Sequence, residues 1–348
     1  MTGRPTRPTR VAVAGLGWAA TSIWLPRLAA HPAFTVTALA DPDQDRVTHA
    51  LSLAPGAQPL TGAGEVDPGT TDLAVVAVPN HLHAPVATAL LGRGIPVFVE
   101  KPVCRNLAEA EALADAETAG GSVLLAGSAA RHRADITALA ALLPKLGRIR
   151  HIELSWVRAS GVPDAGGWFT HRAHSGGGSL VDLGWHLLDV LPALLGPTDI
   201  TRVTGTVSGD FLHSAAASAA WRGEGPDQDQ GHASPGDVED TARGFLVTSD
   251  GVSVGLRTSW ASHEERDVTL IRVDGSDGSA TLRCTFGFSP NRVRRPTLTL
   301  AQGGLLTPLP LDPEAIGAEY DRQLDDLARQ LAEPDLARGR AIEETRRT

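Results

Sequence analysis

Short apolar runs alternate with amphipathic stretches through the first third of the chain. Residues 11–14, 34–40, 73–78, 97–99 and 123–126 are continuous apolar or β-branched runs and read as buried strands. Between them, residues 23–30, 45–53, 85–91 and 107–119 space their apolar positions near 3.6 and read as crossover helices. Strand and helix in strict alternation predict a parallel sheet covered by helices. Residues 134–146 predict one more helix, with Gly147 placed to end it.

The pattern then changes. Residues 149–157, 200–207, 242–248, 252–260, 268–273 and 280–284 are strand-like, with Asp250-Gly251 and residues 274–278 supplying turns. Consecutive hairpins predict an antiparallel sheet. Helical runs over 180–195 and 313–331 complete an α+β region. The expected organisation is a flexible arm over residues 1–10, an α/β domain over 11–131 and an α+β domain over 132–348. Residues 222–240, rich in Gly, Asp, Gln and Pro, predict a loop.

A chain of 348 residues is long enough for two cores. Its net charge of −9 gives no basic footprint for nucleic acid. Cys104 and Cys284 lie far apart, without metal-ligand spacing, which argues against a disulfide framework or a zinc site and fits a reducing cytoplasm. No run reaches eighteen consecutive apolar residues, so no membrane partner is expected.

Gly15-Leu16-Gly17-Trp18-Ala19-Ala20 follows the first strand and opens a helix, the setting in which G-x-G-x-x-G/A binds a dinucleotide. Gly15 permits the tight turn, Gly17 admits a pyrophosphate to the backbone, and Ala20 allows close helix packing. Asp41 ends the second strand, where a carboxylate accepts from ribose hydroxyls. A 2′-phosphate would meet like charge there, so NAD is expected over NADP. Arg46 is the one nearby cation that could change this. The first domain is therefore expected to be Rossmann-type.

Only two lysines stand against twenty-nine arginines, and Lys101 follows the strand at 97–99 in Glu100-Lys101-Pro102. A compact ammonium there points to reacting chemistry; Lys145 reads as an ordinary surface residue. Downstream, three glycines lead into Ser179-Leu180-Val181-Asp182-Leu183-Gly184-Trp185-His186, with Asp189 three residues further on. Helical spacing puts Asp182, His186 and Asp189 on one face, and the histidine is the natural general base.

Gly15 to Ala20, Pro79-Asn80-His81-Leu82-His83, Glu100-Lys101-Pro102 and the run from Gly176 to Asp189 together resemble the Gfo/Idh/MocA oxidoreductase family. The resemblance implies Lys101, Asp182 and His186 as the catalytic group. It implies a cofactor site of Gly15, Gly17, Trp18, Ala20, Asp41, Pro79 and Lys101, with Asn80, His83 and Glu100 toward the nicotinamide. It further implies a homodimer or homotetramer joined through the second-domain sheet, and a sugar-like, polyhydroxylated substrate.

Lys101, Asp182, His186 and Trp168 are the expected substrate contacts, an indole being able to stack on sugar C–H faces, whereas Trp156 on its strand reads as core. The acidic residues of 222–240 suggest a cationic ligand, and so an amino sugar or aminoglycoside whose ring hydroxyl is oxidised to a ketone. Reduction of a keto-sugar, including a nucleotide-linked one, and a non-catalytic NAD sensor are the alternatives.

Overall fold

The computed structural model of the chain describes residues 7–163, 167–214 and 236–348. Residues 1–6 of the expected arm and 222–235 of the expected loop lie outside the described residues. The chain divides into two compact units, one of Met1–Ser128 with Tyr320–Arg346, the other of Ala129–Glu319 with Arg347–Thr348. The division differs from the expected one at the C-terminus, whose helical residues return to the first unit.

In the first unit, six parallel strands run in the order β3-β2-β1-β4-β5-β6. They are β1 (Thr9–Ala14), β2 (Phe34–Ala40), β3 (Gln58–Leu60), β4 (Leu73–Val76), β5 (Val97–Val99) and β6 (Leu124–Ala126). The fold class is as expected; β3, a three-residue edge strand, carried too little pattern to be anticipated. Val11 to Val13, Leu73 and Val97 are fully buried, as strands covered on both faces must be.

The crossover helices are α1 (Leu25–Ala30), α2 (Gln44–Leu53), α3 (Asn80–Leu91) and α4 (Leu107–Gly120). Asp43 caps α2 by accepting from the N–H groups of Asp45 and Arg46, and Asn106 caps α4 through Glu109 N–H. Helix α3 starts at Asn80, earlier than the expected 85. Pro85 lies inside it, costing one backbone hydrogen bond without ending the helix. The C-terminal helix Ala318–Ala332 contributes Tyr320, whose ring meets the Trp24 ring edge-on at 5.5 Å.

In the second unit, eight strands form a mixed sheet in the order β14-β13-β12-β11-β7-β10-β9-β8. They are β7 (Ile149–Val157), β8 (Ile200–Ser208), β9 (Thr241–Thr248), β10 (Ser253–Ser259), β11 (Val268–Gly275), β12 (Ser279–Cys284), β13 (Thr297–Gln302) and β14 (Leu305–Leu309). Only β7 and β10 pair in parallel, Leu154 opposite Leu256. The helices α5 (Ala134–Ala140), α7 (Trp185–Leu188) and α8 (Leu191–Leu195) share a core with the strands of this sheet, and the short α6 (Arg172–Ser175) lies between β7 and α7 in the sequence. Leu183, Leu187 and Val190 are fully buried against Ile152, Leu154 and Val254 in this core, each such side chain contributing about 1.5–3 kcal/mol.

Two expected helices are broken. Residues 134–146 split into α5 and a 3₁₀ turn at Leu143–Lys145, followed by Gly147 in the left-handed region at φ 71°. Residues 180–195 form a π-helical turn at Leu180–Gly184, then α7 and α8. Pro192, lacking an N–H, separates the last two. Arg172–Leu195 taken end to end has the length and hydropathy of a membrane span, yet Gly176 at φ 88° interrupts it and Leu183, Leu187 and Val190 sit in the core.

Candidate active site

In the first unit the expected residues collect at the carboxyl ends of the strands. Gly15 follows β1, Asp41 follows β2, Pro79 and Asn80 stand just past β4, and Glu100 and Lys101 follow β5. The strand order reverses between β1 and β4, the position where an open α/β sheet binds its ligand. Gly15 adopts φ 86°, and a methyl there would stand 2.6 Å from Val78 N, so only glycine fits the turn. Around the Gly17 Cα, by contrast, a Cβ would meet nothing within 4 Å, which leaves the backbone open to a pyrophosphate. Trp18 is half exposed at the start of the π-helical turn Ala19–Trp24, and Ala20 is fully buried beneath it.

Asp41 is buried and accepts from Leu16 N–H at 2.8 Å and Asp43 N–H at 2.9 Å, tying the glycine turn to the end of β2. Arg46, the cation that could have favoured a 2′-phosphate, pairs with Asp43 at 3.4 Å. The donor set and the open glycine backbone fit a dinucleotide.

His83 lies fully buried between two carbonyl oxygens, Pro102 O at 2.6 Å from Nδ1 and Val78 O at 2.8 Å from Nε2. Two acceptors favour the doubly protonated ring, but burial outweighs them and pushes its pKa down to about 4. The ring is therefore neutral near pH 7. It donates to one of the two oxygens and bridges the β4–α3 turn to the Glu100-Lys101-Pro102 segment. Glu100 is buried too, and burial pushes its carboxyl up, against the Lys101 ammonium and hydrogen bonds from Trp24 and Lys101 N–H. Asn80 is buried at the first turn of α3.

In the second unit the π-helical turn carries Asp182 and α7 carries His186. Asp182 Oδ2 accepts from Trp260 Nε1–H at 2.9 Å and lies 3.8 Å from Arg158 Nη1. The Arg158 guanidinium in turn stands 5.3 Å from the centre of the Trp156 ring. Trp156 meets the His186 ring at 5.6 Å and Phe286 at 5.5 Å. Trp156 is buried, as its strand position suggested, but it also flanks the histidine. Trp168 meets Phe169 at 5.0 Å, and Phe169 meets Trp260 at 6.0 Å, so aromatic rings connect to the acid through Trp260 and to the imidazole through Trp156. Arg158 and Trp260 were not anticipated: they come from strand ends distant in sequence, and no local motif marks them.

Two expectations are corrected. Asp189 does not join a polar stripe with Asp182 and His186; it is buried and ion-paired with Arg131, Oδ1 lying 2.5 Å from Nη2 and 2.8 Å from Nε. Of the described acidic residues of the 222–240 stretch, Glu239 and Asp240 are buried and do not face outward to draw a cationic ligand, whereas Asp237 is exposed. Asp237 accepts from Arg172 N–H at 2.6 Å, Glu239 from Gly178 and Leu180 N–H at 2.9 and 3.0 Å, and Asp240 from Phe211 N–H at 2.6 Å. They serve the backbone.

Both cysteines are buried free thiols, and burial pushes Cys104 up to about 11 and Cys284 well above its usual range, so neither is a thiolate nucleophile. Among the described residues no cluster of His, Cys, Asp or Glu could hold a metal ion.

Residues 9–128 match the model of the oxidoreductase family with an NAD-binding Rossmann fold, and residues 144–281 match the Gfo/Idh/MocA C-terminal domain. The chain belongs to the Gfo/Idh/MocA oxidoreductase family. Its first unit is the family's NAD-binding domain. Over 337 residues, 97% of this chain and 92% of the relative, it is 56% identical to a protein of Amycolatopsis mediterranei (strain S699) assigned as a UDP-kanosamine synthase oxidoreductase subunit. Over 314 residues, 89% of this chain and 86% of the relative, it is 26% identical to the dTDP-3,4-didehydro-2,6-dideoxy-alpha-D-glucose 3-reductase of Streptomyces antibioticus. Among solved structures it is similar to GenD2 from gentamicin A biosynthesis in complex with NAD, with TM-score 0.71, 25% identity and coverage of 98% and 96% of the two chains. This family member is thus a sugar-modifying oxidoreductase.

Proposed function

We propose that the protein oxidises a secondary ring hydroxyl of a UDP-linked hexose to the ketone, with NAD as oxidant, and that an aminotransferase then converts the ketone to an amine. The observation that carries this reading is the 56% identity, end to end, with a UDP-kanosamine synthase oxidoreductase subunit. An amine is installed on a ring carbon through a ketone, and an oxidoreductase supplies that ketone. Glu239 and Asp240, buried and bonded to backbone amides, are not available to the cationic aminoglycoside that their charge suggested.

Bound NAD supplies the hydride acceptor. In the proposed step His186 takes the hydroxyl proton, and Lys101 donates a hydrogen bond to the same oxygen as negative charge grows there. Asp182, held by Trp260 and faced by Arg158, stays an acceptor and orients a second substrate hydroxyl. Trp168 offers an apolar face to the sugar. Asp41 gives the preference for NAD, and the sheet of the second unit carries the contact between copies in a homodimer or homotetramer.

Absorbance at 340 nm tests the reading, with NAD, a ketone trap and a panel of UDP-hexoses, free amino sugars and aminoglycosides. NADH is expected with a UDP-hexose. Turnover of aminoglycosides or free sugars in preference to every UDP-hexose would overturn it. The likeness to a dTDP-keto-sugar 3-reductase favours a second reading, reduction of a nucleotide-linked ketone with His186 protonated at the outset. NADH consumption with a keto-sugar nucleotide, without the reverse oxidation, would select that reading.

A further inference from the structure

Glu239 reaches the start of the helix that carries Asp182 and His186 with three contacts. Its Oε1 accepts from Gly178 N–H at 2.9 Å and Leu180 N–H at 3.0 Å, and its backbone oxygen accepts from Ser179 N–H at 3.0 Å. Three successive amides at the start of the π-helical turn are thereby satisfied by one residue from a segment some sixty positions away in the chain. The side chain is buried, and its second oxygen lies 3.9 Å from Arg172 Nη2. A carboxylate at this end also meets the positive pole of the helix.

The glycine run exists for this approach. A methyl on Gly178 would stand 1.8 Å from Glu239 O, a distance no side chain tolerates. One on Gly177 would stand 2.7 Å from Val181 Cγ2 and 3.7 Å from Glu239 Oε1. The neighbour Asp240 acts in the same direction: its backbone oxygen accepts from Trp260 N–H at 2.8 Å, and the Trp260 indole holds Asp182. Residues 239 and 240 thus fix the acid from both sides, through its helix and through its hydrogen-bond donor.

We propose that Glu239 is a positioning residue for the oxidation: its carboxylate sets the place of the Asp182 and His186 side chains by clamping the amides of Gly178 and Leu180. The role rests on the catalytic reading above, since it acts through those two residues. A displacement of about 1 Å in a catalytic group costs up to about a hundredfold in rate. Shortening the clamp by one methylene is a displacement of that order.

The test compares Glu239→Asp with Glu239→Gln. Glu239→Asp keeps the charge but withdraws it from the two amides, and kcat is expected to fall about tenfold while KM for NAD holds. Glu239→Gln keeps a carbonyl oxygen for both amides and is expected to recover most of that loss. A side chain needed only for folding would lower the unfolding midpoint and leave kcat per folded molecule unchanged in both variants, and that result overturns the proposal.

A second readout is independent of substrate. The His186 ring proton signals, assigned by their loss in His186→Asn, are expected to move in Glu239→Asp. If no UDP-hexose is oxidised by the parent protein yet these signals move, the substrate reading falls and the positioning role stands. Unmoved signals overturn the positioning role even then.

Discussion

Trp24 Nε1–H donates to Glu100 Oε1 at 2.9 Å, and Glu100 Oε2 accepts the backbone N–H of Lys101 at 2.7 Å. The indole is fully buried, edge-on to Phe98 at 4.8 Å, and it ends the π-helical turn that follows the glycine loop. One hydrogen-bonded carboxylate therefore connects the phosphate-binding turn to the segment that presents Lys101.

Trp24→Phe keeps an aromatic ring and removes the N–H. It leaves a buried carboxylate short of a donor, with an expected loss of about 1–3 kcal/mol, read as a lower urea midpoint. The carboxylate form of Glu100 is also less favoured, so its pKa rises further. The acid limb of the kcat profile is expected at higher pH than in the parent; an unmoved limb would show that Glu100 ionisation does not matter to turnover.

Lys101→Ala and His186→Ala are each expected to lower kcat by about 10²–10⁴-fold. His186→Ala should still bind NAD with parental affinity, measured by quenching of tryptophan fluorescence. Lys101→Arg is expected not to restore turnover, because the proposed role calls for a compact ammonium and a guanidinium is planar. Near-parental kcat in either alanine variant at saturating cofactor would remove that residue from the reaction.

Asp41 carries the proposed preference for NAD. NADH is expected to bind more tightly than NADPH by at least about tenfold, since a 2′-phosphate would oppose a buried carboxylate. Asp41→Ser should narrow that ratio while also weakening NADH, as the tie to Leu16 N–H is lost. Tighter binding of NADPH to the parent protein would refute this.

His83 makes stability depend on acidity. In the unfolded chain the imidazole titrates near 6.5, whereas burial holds the folded pKa at about 4. Between those values the unfolded state binds more protons, so stability falls as pH drops from 6.5 toward 4, by up to about 3 kcal/mol. His83→Gln should flatten the pH dependence of the thermal midpoint in that window. An equal slope in parent and variant would assign the acid sensitivity elsewhere.

The nucleotide half was the more legible because its signals are local. The order strand, glycine turn, helix, strand, acid is contiguous, and Gly15 and Asp41 stand where that order required. The second half depends on contacts distant in sequence. The run 180–195 has helical apolar spacing, but it starts as a π-helical turn and breaks at Asp189–Val190 ahead of Pro192, and Asp189 turns to Arg131 rather than to His186. Strands β13 and β14 escaped notice although Leu298 and Leu300 alternate with polar residues and Gly303-Gly304 supplies the turn.

The acids at 237–240 are hard to read from sequence for a related reason. Composition gives their charge but not the amides they answer, and those amides come from residues near 172, 178 and 211.

The return of residues 320–346 to the first unit means that this unit is assembled from both ends of the sequence. Tyr320 closes over Trp24, Gln323 donates to Ala126 O at 3.1 Å, and Gly339 N–H bonds Glu117 Oε2 at 3.0 Å. On the ribosome the dinucleotide module must wait for its final piece until the intervening sheet has been synthesised. A nascent or nicked polypeptide lacking that piece would be without the Tyr320 ring that packs edge-on against the Trp24 indole behind the glycine turn.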